Sequence, residues 1–274
     1  MGLPFLCLLP PGIRETEAGP ENSQGSEGSG SIGEFFNGEE LSYEIGFWLF
    51  KRAAIGRLSF TAGERKSQYV SVLKAETLGL VGWISRYRVD TYRATMEEVD
   101  GGKRLRAISF EEDVKIGDTS RKWFHEFDYQ RRKWINVRTK KDGRVTRSEE
   151  EIPAGMVYDD FLTASYNFRH GVYGAIERGR KYLIPTFPRK GSSSYEVRVA
   201  GEEEERERKK SEKSGDGKEL LIRLSLDPEV THSKDGTIEG WLSKGFYPTE
   251  GTIRNVILFG DVKGRLTKII RKTS

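Results

Sequence analysis

Apolar and polar side chains alternate in one segment after another, and this limits the chain to antiparallel sheet. Leu41, Tyr43, Ile45, Phe47 and Leu49 are interleaved with Ser42, Glu44, Gly46 and Trp48, the period-two pattern of a strand with one buried face. Residues 55–61, 69–75, 104–110, 120–129, 133–139 and 144–150 continue the pattern. Gln130-Arg131-Arg132 and Asp142-Gly143 supply hairpin turns between neighbouring strands. Residues 181–187, 194–201, 220–226, 238–243, 253–260 and 265–270 extend the series, broken by Gly and Pro. Short hairpin links build a meander, because adjacent antiparallel strands need only tight connections. Hydrophobic residues reach only 35% while aromatics reach 11%. That balance suits sheets with one wet face, where a few large rings bury much area.

Residues 158–171 break the pattern. Phe161, Leu162, Ser165 and Phe168 share one helical face. Asp159 or Asp160 can cap the start, Arg169 and His170 suit the negative end, and Gly171 suits a left-handed stop. The expected fold is therefore mainly β: a large curved antiparallel sheet or open half-barrel meander with one principal α-helix packed on it. Residues 80–92 fit either state: Leu80, Ile84 and Tyr87 suit a helix, while Tyr87, Val89 and Thr91 suit a strand. The expectation there is strand with a short irregular start. Residues 202–218, a mixed run of Glu, Arg and Lys, offer no apolar face and are expected to form a solvated hairpin extension.

The domain is expected at 38–274. Residues 1–37 are expected to hold a short apolar start and a Gly/Ser/Glu linker that cannot bury enough surface to fold. Gly2-Leu3-Pro4-Phe5-Leu6-Cys7-Leu8-Leu9 is too short to span a bilayer. It reads equally as the remnant of a secretory signal or as an apolar tail. Gly28, Gly30 and Gly33 match GxGxxG, with no strand expected before them and no helix after, so no nucleotide site is expected.

Cys7 stands alone, and His125, His170 and His232 are far apart, so no cofactor or metal centre is expected. Asp159 and Asp160 are adjacent and would diverge by about 100° on a helix, so they cannot face one another as a catalytic pair. His125 alternates with Trp123 and Phe127 onto one face, the setting of a packed polar residue. No nucleophile has an identifiable base and orienter, and no catalytic residue is assigned.

Residues 1–40 carry one base and seven acids, leaving 45 bases against 35 acids, a net +10, from residue 41 onward. Such a body favours anionic partners. Lys122-Trp123-Phe124 and Arg131-Arg132-Lys133-Trp134 interleave bases with rings, as single-strand nucleic-acid binders do. Glu126 and Asp128 interrupt the patch and argue against that partner.

Gly38-Glu39-Glu40-Leu41-Ser42-Tyr43-Glu44-Ile45 resembles the start of a bacterial family known as domain of unknown function 3108. Asp160-Phe161-Leu162-Thr163-Ala164-Ser165-Tyr166-Asn167-Phe168-Arg169 resembles its helix. Gly240-Trp241-Leu242-Ser243, then Pro248 and Gly264-Arg265-Leu266, are similar to its closing strands. Lys244 and Gly245 depart from the acidic residue common there, and the N-terminus lacks a complete signal. The resemblance implies export to the periplasm or cell envelope and implies no activity. The chain is expected to be a non-catalytic envelope protein without a transmembrane span, holding an amphiphilic or acyl-chain, anionic lipid-like ligand. Trp83, Phe161, Tyr166 and Trp241 are the candidate ligand residues. A structural or scaffolding role is the first alternative, and a single-stranded nucleic-acid-binding β-module the second.

Overall fold

The computed structural model describes residues 30–189, 192–212, 219–225, 233–234, 236–256 and 260–271. The alternating segments form β1 (Glu39–Phe47), β2 (Phe50–Ala62), β3 (Gln68–Thr77), β4 (Val89–Val99), β5 (Arg104–Ile116), β6 (Thr119–Asp128), β7 (Lys133–Thr139) and β8 (Val145–Glu151). They continue as β9 (Lys181–Arg189), β10 (Ser192–Val199), β11 (Leu220–Ser225), β12 (Thr237–Leu242), β13 (Pro248–Val256) and β14 (Gly260–Ile270). All fourteen strands lie in one sheet, in the order β8-β7-β6-β5-β4-β3-β2-β1-β14-β13-β12-β11-β10-β9. It consists of two antiparallel meanders joined where β1 pairs with β14.

The sheet is open but rolled. β8 and β9 stand at opposite ends of the strand order. Yet the Phe187 ring of β9 lies 4.5 Å from His125 of β6 and 5.5 Å from Trp134 of β7. The expected helix, α3 (Phe161–Arg169), is the axis of the roll. Leu162, Thr163, Ala164, Tyr166, Asn167, Phe168 and Arg169 are all buried, so the helix is covered over most of its circumference rather than along one stripe, with Phe161 and Ser165 half-buried. The mainly β architecture with one principal helix is thus as the alternation implied. His125 is packed among rings, as its alternation also implied.

Three segments differ from their sequence reading. Residues expected in the linker form α1 (Ile32–Phe36), with Ile32 and Phe36 buried. Ser31 and Glu34 make a capping box, each side chain serving the other's backbone amide. The folded body therefore begins before residue 38. A short helix does follow Gly30, but the amide of Gly33 already donates to Glu98 at 2.8 Å and that of Glu34 to Ser31, which leaves these amides no anion to hold. Gly28 and His232 lie outside the described residues.

Residues expected as an irregular strand start form α2 (Gly79–Ile84). Gly79 takes a positive φ, and Ser85 ties the helix back to Thr77 at 2.8 Å. Finally, the charged run contains α4 (Glu202–Glu212). It packs through ion pairs instead of an apolar face. Glu204 binds Arg198 and Arg223, Arg208 binds Glu239 at 3.2 Å, and buried Glu205 accepts from Arg178 and from the amide of Leu221.

Candidate functional site

α3 is fixed at both ends by buried polar side chains. Asp160 caps it, accepting from the amides of Leu162 and Thr163 at 2.9 and 3.1 Å and from the Thr163 hydroxyl at 2.6 Å. Burial pushes the Asp160 carboxyl up to about 6. Asp159 points elsewhere: Arg104 donates to it at 2.9 Å, Asn167 at 3.3 Å, and the Tyr173 hydroxyl completes the set. Burial lifts its carboxyl to about 6 as well, against the pull of Arg104. Asn167 acts as a strand partner, exchanging hydrogen bonds with the backbone of Leu105 at 2.8 and 2.9 Å. At the other end Arg169 makes a bidentate pair with Glu39, both contacts 2.7 Å, and donates to the Phe246 carbonyl. These groups hold the helix in place.

The open space lies beside them. Between α3 and the concave face of β1–β3 and β9–β14 is a cavity of about 390 Å³. Leu73, Ile222, Leu224, Ile238 and Val197 line it from the sheet, and Phe161, Ala164 and Phe168 from the helix. Arg169 and Glu250, the charged residues at its wall, are already engaged with Glu39 and Arg265.

Glycines account for the cavity. Gly240 pairs with Gly251, and Gly251 with Gly264, so three neighbouring strands carry glycine in one row. Gly56 of β2 joins the same wall. A side chain beginning at Gly251 would meet nothing within 4 Å. Where a sheet of this curvature would otherwise place three side chains, it leaves bare backbone.

Of the four candidate ligand residues, Phe161 faces the cavity, half-buried, with its ring against Tyr92 and Phe110. Trp241 contributes to the wall through β12, but its ring packs on the outer face. It pairs with Leu221, clusters with Ala200, and lies beneath the Lys209 ammonium of α4 at 5.4 Å. Tyr166 is fully buried between Phe36 and Phe60, ring distances 4.9 and 4.6 Å, and is core. Trp83 is 68% exposed on α2 and away from the cavity, because the helix there turns it outward. Tyr43 and Ile45, which also line the cavity, were legible as in-facing positions of β1.

The nucleic-acid patch is broken by burial too. Trp134 is buried and its indole donates to His125 Nδ1 at 3.3 Å, so its ring is not offered for stacking. Burial holds the His125 imidazole neutral, with its pKa lowered to about 4. No helix among the described residues is long and apolar enough to cross a membrane.

A rolled, open antiparallel sheet around α3, with an apolar cavity between them, defines the class of protein. The family model described as "Protein of unknown function (DUF3108)" matches residues 42–267, and the chain belongs to that family. Among solved structures the chain is similar to a β-barrel-like protein of domain of unknown function DUF1849 from Brucella abortus. The two are 12% identical with a TM-score of 0.44, over 87% of this chain and 99% of that one, a likeness too distant to carry an argument. No curated protein matches.

Proposed function

We propose that this is a non-catalytic, exported cell-envelope protein that holds the acyl chain of an amphiphile in the cavity beside α3. The supporting observation is the glycine row, which keeps an apolar space of about 390 Å³ unfilled. That volume falls within the roughly 300–1,000 Å³ of small-molecule sites. The charges at the wall are paired internally. On this reading the cavity takes the apolar chain and the headgroup stays outside, near the basic surface. The export half of the proposal rests on the family resemblance.

Titration with fatty acids and lysophospholipids of increasing length tests the reading. Affinity is expected to rise by up to ~0.8 kcal/mol per added methylene until the cavity is full. Gly251→Leu, placed where a side chain meets open space, is expected to fold normally and to lose binding of the longer chains. Affinity indifferent to chain length, or unchanged in a folded Gly251→Leu protein, refutes an acyl-binding cavity.

A further inference from the structure

One end of the sheet carries an apolar surface that the core does not use. The β1–β2 hairpin ends in Trp48 and Leu49, 75% and 95% exposed, followed by the partly exposed Phe50. Trp48 holds a left-handed φ of 48°, a conformation that a bulky residue adopts only at a cost. Its indole stands against Gly260, where any side chain would collide with it. α2 lies next to this tip, since the amide of Leu78, just before it, donates to the carbonyl of Ala53 in β2 at 2.8 Å. α2 and the turn after it add Leu80, Trp83, Ile84 and Tyr87, all between 58% and 68% exposed. Large exposed side chains thus come from two separate elements and gather at one end.

Exposed bases stand among them. Lys51 and Arg52 follow the hairpin tip and Arg86 follows α2. Lys51 and Arg86 form no ion pair among the described residues, and the Arg52–Glu44 pair is solvent-exposed. Two tryptophans, several aliphatic side chains and unpaired bases on one surface have the composition of an interfacial membrane anchor. Indoles settle at the headgroup level, aliphatic chains enter the acyl boundary, and bases meet anionic phosphates. A protein partner would supply complementary acids or a shaped pocket. The protruding, unenclosed Leu49 and the separate bases suit a fluid anionic surface better.

We infer that the β1–β2 tip and α2 together dock this protein on the surface of an anionic lipid bilayer. The inference stands on this surface alone and holds whether or not the cavity binds an acyl chain. Geometry adds one point: Ile45 and Ala75 of the cavity wall lie two residues from Phe47 and Thr77, so the cavity runs towards the docked end.

The test is flotation of the full chain with phosphatidylcholine vesicles, with and without phosphatidylglycerol. Quenching by doxyl-labelled lipid reads out tryptophan depth. Binding is expected only with the anionic lipid and is expected to weaken with salt. Trp48→Ser with Trp83→Ser, and separately Lys51→Glu with Arg86→Glu, are each expected to lower partitioning about tenfold or more. Circular dichroism should be unchanged, since all four side chains are exposed. Absence of binding to anionic vesicles at low salt overturns the proposal. So does binding that both folded variants retain, which would place the contact elsewhere on the chain, such as its apolar first residues. Failure to bind vesicles, together with loss of a purified protein partner in the same variants, would assign the surface to that partner instead.

Discussion

Arg169 and Glu39 meet across 130 residues of sequence, and both are almost fully buried. Two charges withdrawn from water are tolerable only together. Arg169→Met leaves the Glu39 carboxylate with Arg271 alone, at 3.4 Å, and is expected to cost about 3–5 kcal/mol in urea unfolding. A loss under about 1 kcal/mol would mean that water reaches the pair. His125 makes a second single-residue prediction. Its folded pKa of about 4 lies below the ordinary 6.5 because burial disfavours the charged ring. The unfolded chain therefore takes up a proton first as pH falls. The stability contribution is full above about 6.5 and is lost progressively down to about 4, reaching on the order of 3 kcal/mol. Asp159 and Asp160, raised to about 6, act in the opposite sense over part of that range. The comparison is thus between the native protein and His125→Phe, whose unfolding midpoint should fall less steeply from pH 7 to 4. Parallel curves for the two proteins would show that the ring is not held neutral.

At the scale of elements, legibility in the sequence followed the range of the interactions. Strand parity is local, and β1 to β3 and β5 to β8 could be read from alternation and turn residues alone, whereas β4 was left within an ambiguous segment ending at residue 92. The cap and stop of α3 were local as well, though which aspartate caps depended on Arg104, far away in β5, drawing Asp159 aside. α1 carried a readable capping box, yet the surrounding Gly, Ser and Glu hid it. Its consequence is testable. Phe36→Ala should cost about 3–5 kcal/mol, because the ring is 1% exposed against Phe60 and Tyr166, and an unfolding midpoint near the native one would place α1 outside the core. α4 was not legible, because its packing partners Arg198, Arg223 and Glu239 lie on other elements. The cavity was hidden for a related reason. Gly240, Gly251 and Gly264 each read as a strand interruption, and only the pairing register makes them a row. Phe161 lies on the face that helix periodicity picks out. For Trp83, Tyr166 and Trp241 the sequence carries no signal of the direction in which each ring faces.

At the scale of the whole molecule, the two meanders meet along a single pair of strands. Thr267 of β14 bonds the Ser42 carbonyl of β1 at a separation of 225 residues. Contacts of such range form slowly, because a long loop must close before any of them can stabilise it. A ribosome releases β1 early and β14 after every other strand described here. Throughout that interval the first meander shows a nine-residue edge with unsatisfied amides and carbonyls, able to accept a strand from any neighbouring chain. Truncation before Gly260 should fix the molecule in that condition, giving more light scatter and larger species on gel filtration than the intact chain gives. The join at β1 and β14 thus sets a period in the life of each copy when it most needs to be kept apart from the others.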